Sequence, residues 1–234
     1  YWAVGTSAIL AAGYALFGFD GAVVVGLNLL ASIVMIVGVK LLADRYMGRP
    51  TGLLAASLVA LWPLLVQFTT VISSELFFLA LLCSSLLAWE RAREASVLWL
   101  LLFGVLLAAT CYVRPVALLL PFVLAFCDIV RQPVRWRGVA LRCAGATVVM
   151  LALIAPWAYR NTQLFDRPVL ISTNFGANFW MGNNPETTGS YQPLPDRTSG
   201  LTETEVSDLL LSEAVEYIRE EPLAFVGRTL LKAV

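Results

Sequence analysis

Long apolar runs, each cut off by a cluster of charged residues or a tight turn, dominate this sequence and leave few folds open to it. The runs cover residues 20–39, 51–70, 76–89, 97–113, 116–130 and 139–159, the third lengthened by residues around Ile72. Each is near the roughly 20 residues an α-helix needs to cross hydrocarbon, though some are short. None alternates polar and apolar residues as a barrel strand would. An ordinary soluble domain is about 45–50% apolar and about 25% charged. This chain is 59% hydrophobic and 14% charged, with a mean hydropathy of +0.78. The pattern predicts an all-α integral membrane protein built as a multi-span helical bundle.

Residues 1–18 are apolar but interrupted by glycine and small polar residues. Trp2, Tyr14 and Phe17 suit a membrane interface, so this segment predicts a helix lying near the outer surface, with a first span as the alternative. The organisation expected is a transmembrane region over 1–159, an outer-face loop with a helix over 160–222, and a further interfacial or spanning helix begun over 223–234. Within the second region, residues 202–220 carry a helical pattern. Thr202 or Ser207 could cap it, and Leu209, Leu210, Ala214, Tyr217 and Ile218 form one apolar face. Glu221 and Pro222 restart the chain.

Basic residues in the short loops set an orientation. Lys40, Arg45, Arg49, Arg91, Arg93, Arg131, Arg135, Arg137 and Arg142 fall on one side, and Arg114 stands alone on the other. The bias places the first group in the cytoplasm. The turns at Glu75 and Arg114, and the long segment after residue 160, then belong to the outer face, which in a bacterium is periplasmic or extracellular.

Which chemistry is open follows from what is missing. There is no histidine, so carboxylates must do any acid–base work. The four cysteines lie in apolar runs without CxxC spacing and indicate neither zinc nor disulfides. Formal net charge is zero and no basic tract points to nucleic acid. Glu75 stands at the outer end of the third run, where a carboxylate bordering hydrocarbon is costly unless paired or hydrated. It reads either as a functional acid or as a first-turn acid behind a Ser73 or Ser74 cap. Arg114, before Pro115, offers a planar permanent cation for a lipid phosphate. It could equally snorkel to headgroups or pair with Glu75. Arg160 and Asn161 could bind phosphate or anchor the sixth helix. Asn174, Asn178, Asn183, Asn184 and Tyr191 could meet sugar hydroxyls, with Trp180 as a stacking face. The alternative for the asparagines is a loop that satisfies its own turns.

The stretch after the last run carries R-N at 160–161, I-S-T-N at 171–174, G-A-N at 176–178 and G-N-N-P at 182–185. These motifs resemble integral-membrane glycosyltransferases of the GT-C type, above all glycosyltransferase family 39, which includes protein mannosyltransferases and lipid A aminoarabinose transferases. S-E-L-F at 74–77 resembles the family motif that starts the span with a carboxylate near the reacting sugar phosphate. C-Y-V-R-P at 111–115 is similar to the family's Thr-Arg-Pro or Val-Arg-Pro turn. The resemblance implies that Glu75 is the second of two outer-face acids, sometimes beside a divalent metal. The first acid belongs to a loop this sequence does not contain. The opening segment resembles the family's Tyr-Pro-x-Gly-x-Pro stretch, with Ala3 and Ser7 in place of its prolines. Asp20 is not assigned the missing role.

The resemblance implies transfer of a sugar from a polyprenyl-phosphate donor, at the outer face of the cell membrane, to a lipid, glycan or protein acceptor. A transporter or lipid flippase is the competing class, but it calls for ionisable groups or broken helices near mid-membrane. With Tyr1 in place of Met, and Val234 inside a helical pattern, the sequence reads as an excised fragment, expected to be inactive alone.

Overall fold

The structure is a computed structural model. It describes residues 3–94, 96–187 and 191–231, with side chains to residue 229. Among the described residues the chain is helical, without a strand. It divides into two compact units, one over Ala3–Arg160 and one over the described residues from Asn161 onward.

The first unit begins with α1 (Gly5–Phe17), the helix expected over 1–18, of which Trp2 lies outside the described residues. α2 (Gly21–Met47) starts where the Asp20 carboxylate accepts from the Ala22 amide at 2.8 Å. It ends at Gly48, whose φ of +88° turns the chain directly into α3 (Arg49–Ala60). α5 (Glu75–Ala92) and α6 (Val97–Val113) pack as neighbours, and α5 also lies against α2. A 3₁₀ turn over Pro115–Leu119 leads into α7 (Leu120–Arg131), and α8 runs over Trp136–Phe165.

α2 and α6 carry small residues on their buried faces and leave large apolar side chains exposed. On α2 the buried positions are Val24, Asn28, Ala31, Met35 and Gly38, spaced by three or four, while Leu30, Ile33 and Val37 are exposed. α6 buries Gly104, Leu107, Ala108 and Cys111 and exposes Leu98, Leu101 and Val105. A water-soluble helix would put that apolar surface inside. Small residues at the seams let backbones approach, as membrane helices require. A Cβ on Gly38 would sit 2.7 Å from that of Cys83, and one on Gly104 would sit 2.6 Å from Val149.

The spans differ from the expectation in several places. Two stretches, Gly21–Met47 and Pro133–Phe165, are long and apolar enough to cross a membrane on their own. α1 and α6 are shorter apolar helices of 13 and 17 residues. The run over 51–70 is not one helix. It breaks at Trp62 (φ −68°, ψ 115°), because Pro63 has no N–H to donate and forces its predecessor out of the helical region. Beyond Pro63 lies the five-residue α4 (Pro63–Gln67), then an irregular segment up to Ser74. Asn28 holds that segment, its amide donating to the carbonyls of Phe68, Thr69 and Val71 at 3.1, 3.2 and 2.9 Å. Glu75 is the first residue of α5 and not part of the preceding turn. Arg160 and Asn161 do not close the sixth helix, which continues to Phe165.

The second unit corrects the loop expected after residue 160. Phe175–Asn183 form a helix, α9, packed on α10 (Glu203–Glu220) around Ala177, Val206 and Leu210, with Trp180 and Leu194 against them. Asparagine and glycine are weak helix formers, so packing outweighs propensity in this segment. The two helices meet at Gly176, where a Cβ would strike the Ser207 carbonyl and whose amide donates to Ser207 Oγ at 3.0 Å. Ser207 is thus a bridge between helices. The cap of α10 is Thr202, which forms a reciprocal box with Glu205. α11 (Pro222–Leu231) restarts at proline as expected, and residues 232–234 lie outside the described residues.

Candidate functional site

In the first unit the two residues singled out at the ends of separate runs come together. α5 and α6 are joined by a short connection, so the start of α5 and the end of α6 share one end of the pair. There Arg114 Nη2 donates to Glu75 Oε1 at 2.6 Å and to Ser74 Oγ at 2.9 Å, and Nε donates to the same hydroxyl at 3.1 Å. The guanidinium also lies 5.5 Å from the Phe78 ring centre. Ser74 stands at the N-cap position of α5, yet its side chain does not cap the helix because its oxygen faces Arg114. Nε and Nη2 are thus committed, while Nη1 makes no hydrogen bond among the described residues. Glu75 and Arg114 keep 32% and 40% side-chain exposure, so the pair is open to an incoming anion.

The opposite end of α5 holds a network that the sequence reading passed over as loop charges. Glu90 and Asp128 are buried. Arg93 reaches both, gripping Asp128 through Nε and Nη2 and Glu90 through Nη1 at 2.7 Å from Oε2. Tyr46 donates to Glu90, and Arg45 lies 3.1 Å from it. The available signal was an acid at the end of an apolar run, Asp128 just inside the run over 116–130 and Glu90 directly after the run over 76–89.

Arg160 is exposed, with its guanidinium 4.7 Å from the Trp157 ring centre. The remaining candidates belong to the second unit. Asn161 is buried and donates to the Ile171 carbonyl at 3.3 Å. Asn174 precedes α9 and accepts from Ser172 Oγ at 2.8 Å. The amides of Asn183 and Asn184 donate to the carbonyls of Phe179 and Trp180 at 2.8 and 2.9 Å. Asn184 is buried, bonded also to Gln192 and to the Glu186 amide. Asn178 and Tyr191 are exposed. Several asparagines therefore brace their own backbone.

Trp180 and Asn184 line a cleft of about 760 Å³ in this unit. Its other walls include Glu186, Asp196, Glu213, Glu216, Glu220 and Tyr217, with Arg197 over the Trp180 ring. The Arg197 guanidinium that lies over the Trp180 ring is itself bonded to Glu213, at 2.8 Å from Nε to Oε1. Nearby pairs set local charge. The guanidinium of Arg167, bonded to Asp208, holds that carboxyl below the ordinary carboxylate range. The backbone N–H of Thr202 does the same for Glu205.

Glu75 is a single carboxylate bonded to Arg114, and no cluster of three His, Cys, Asp or Glu side chains that could hold a metal exists among the described residues.

Comparison with known proteins gives one finding. A family model described as dolichyl-phosphate-mannose-protein mannosyltransferase matches residues 3–159. The motif block over 160–185 lies beyond the matched stretch. No curated protein and no solved structure matches the chain.

Proposed function

This chain belongs to the dolichyl-phosphate-mannose-protein mannosyltransferase family of membrane glycosyltransferases, and from that premise we propose a reaction for its Arg114 end. A polyprenyl-phosphate sugar binds with its phosphate against Arg114 at the outer membrane face. An acceptor hydroxyl attacks the anomeric carbon, the carbon–oxygen bond to phosphate breaks, and polyprenyl phosphate leaves carrying the negative charge. Arg114 stabilises that charge as it develops, the kind of interaction that accelerates a reaction because it strengthens in the transition state. Glu75 and Ser74 act as positioning residues that fix the guanidinium plane. An outer-face carboxylate takes the acceptor proton as the hydroxyl attacks. The cleft beside Trp180 is the candidate for binding acceptor or sugar hydroxyls. The protein is multi-pass in this reading, and the outer-face orientation rests on the arginine bias of its short loops.

The observation that carries the reading is the half-committed guanidinium. One edge of Arg114 is held by Ser74 and Glu75, and the Nη1 edge is left for a phosphate oxygen. The test is a double-mutant cycle in the intact enzyme with polyprenyl-phosphate mannose as donor. A half-exposed pair contributes only about 1 kcal/mol to stability. Loss of a transition-state donor costs about 10²–10³-fold in turnover. Arg114→Ala is expected to give the larger loss, and Arg114→Lys to recover part of it without the planar fork. Glu75→Gln should reduce turnover less. Unchanged donor-dependent rates in the Arg114 and Glu75 variants would remove both residues from the reaction.

A further inference from the structure

The end of the first unit that carries Arg93 and Asp128 encloses a cavity of about 430 Å³. Its walls hold five arginines, Arg93, Arg131, Arg135, Arg137 and Arg142, against one carboxylate, Asp128. Asp128 is already taken: Arg93 grips it through two nitrogens, and Arg142 Nη2 lies 3.6 Å away. Glu90 behind it is taken by Tyr46, Arg45 and Arg93. Arg131, Arg135 and Arg137 form no ion pair among the described residues, although Arg131 and Arg137 lie over the rings of Tyr46 and Trp136. The Nε of Arg142 is buried without a partner. A cavity with this excess of cations calls for an anion with several acceptor oxygens, and arginine forks match phosphate oxygens in geometry.

What surrounds the cavity names the carrier of that phosphate. Phe122, Phe126 and Val130 are exposed on α7 at spacings of four, a stripe that leads to Arg131 at the helix end. Val134, 96% exposed, lines the cavity itself, and Trp136 and Leu141 are exposed at the start of α8. A free anion has no use for that apolar track, whereas acyl chains do. We propose that this cavity binds the phosphodiester headgroup of an anionic glycerophospholipid, its tails lying along α7 and the first turns of α8. Basic pockets between membrane helices take such headgroups in general. The site is separate from Arg114, because the two lie at opposite ends of α5 and α6.

The test uses the full chain in nanodiscs of phosphatidylcholine with and without phosphatidylglycerol. Native mass spectrometry counts retained lipids, and thermal unfolding reports protection. Phosphatidylglycerol should be retained over phosphatidylcholine and raise the midpoint, while inorganic phosphate should do neither. The double variant Arg135→Gln, Arg137→Gln leaves the Arg93 network intact. It should weaken phosphatidylglycerol retention by about fivefold per arginine, roughly thirty-fold together, with an unchanged midpoint in phosphatidylcholine alone. Equal retention of both lipids, or undiminished phosphatidylglycerol retention in the variant, would overturn the proposal. Protection by inorganic phosphate alone would reassign the cavity to a soluble anion and overturn the lipid.

Discussion

Asn28→Leu is the sharpest test of how this fold presents its Glu75 end. Asn28 is fully buried on α2, and its two amide hydrogens serve three carbonyls, those of Phe68, Thr69 and Val71. These belong to the irregular segment that follows the Pro63 break and precedes Ser74 and Glu75. In hydrocarbon a carbonyl without a partner is costly, so one side chain replaces a missing turn of helix. Hydrogen bonds between membrane helices contribute on average about 0.6 and at most about 1.7 kcal/mol each. Three contacts therefore amount to roughly 2–5 kcal/mol by those values. Against this, Asn28 Oδ1 is buried without a partner, and removing it returns about 1–3 kcal/mol. The expected net loss is about 2 kcal/mol, which lowers the unfolding midpoint by about 4–8 °C for a protein of this size. The assay pairs thermal unfolding in detergent with hydrogen exchange of the backbone over 68–75. Exchange there should rise before the rest of α5 opens, and donor-dependent turnover should fall with it. An unchanged midpoint together with unchanged exchange over 68–75 would refute the claim that Asn28 holds this segment.

Other expectations are simpler to state. Gly176→Ala should destabilise the α9–α10 pair by about 1–3 kcal/mol, because its Cβ would meet the Ser207 carbonyl; circular dichroism melts check it. The Asp208 and Glu205 carboxyls are held below their ordinary range, so the unfolded chain takes up their protons first. Their stabilisation is complete above about pH 5, beyond both unfolded values, and is lost as pH falls through the lower folded values. Hydrogen exchange of α10, corrected for intrinsic pH dependence, should show this loss, and Glu205→Gln, which removes the titrating carboxyl, should flatten the part due to Glu205. For orientation, Cys127 is the exposed native thiol among the described residues and is replaced first. Thr70→Cys should then label with an impermeant reagent from outside, and Val134→Cys only from inside; the reverse pattern would invert the topology.

What could be read from the residues was local chemistry. The Thr202 cap with Glu205 three residues on, the restart at Pro222, and the chemical interest of Glu75 and Arg114 all follow from neighbours in sequence. The break at Trp62 was equally local and was missed because run length was weighed above Pro63. α9 was not legible, since Asn174, Gly176, Asn178, Gly182 and Asn183 favour turns and the helix exists through contact with α10. The use of Ser74 Oγ by Arg114, in place of a cap, depends on α5 and α6 standing side by side. The clamp of Arg93 on Asp128 joins residues 35 apart, and no local pattern in either helix specifies the partner.

The contact at Gly176 also bears on which positions of this segment can be substituted. Within the Gly-Ala-Asn block, Gly176 has no room for a side chain and Ala177 is fully buried, but Asn178 is exposed. Two of the three letters are therefore answers to packing, and only the third is free to answer to a substrate. Substitutions at the first two loosen the α9–α10 pair, whatever the third position contacts. Variation at position 178 and among the carboxylates of the Trp180 cleft changes the surface this unit presents while its packing stands still.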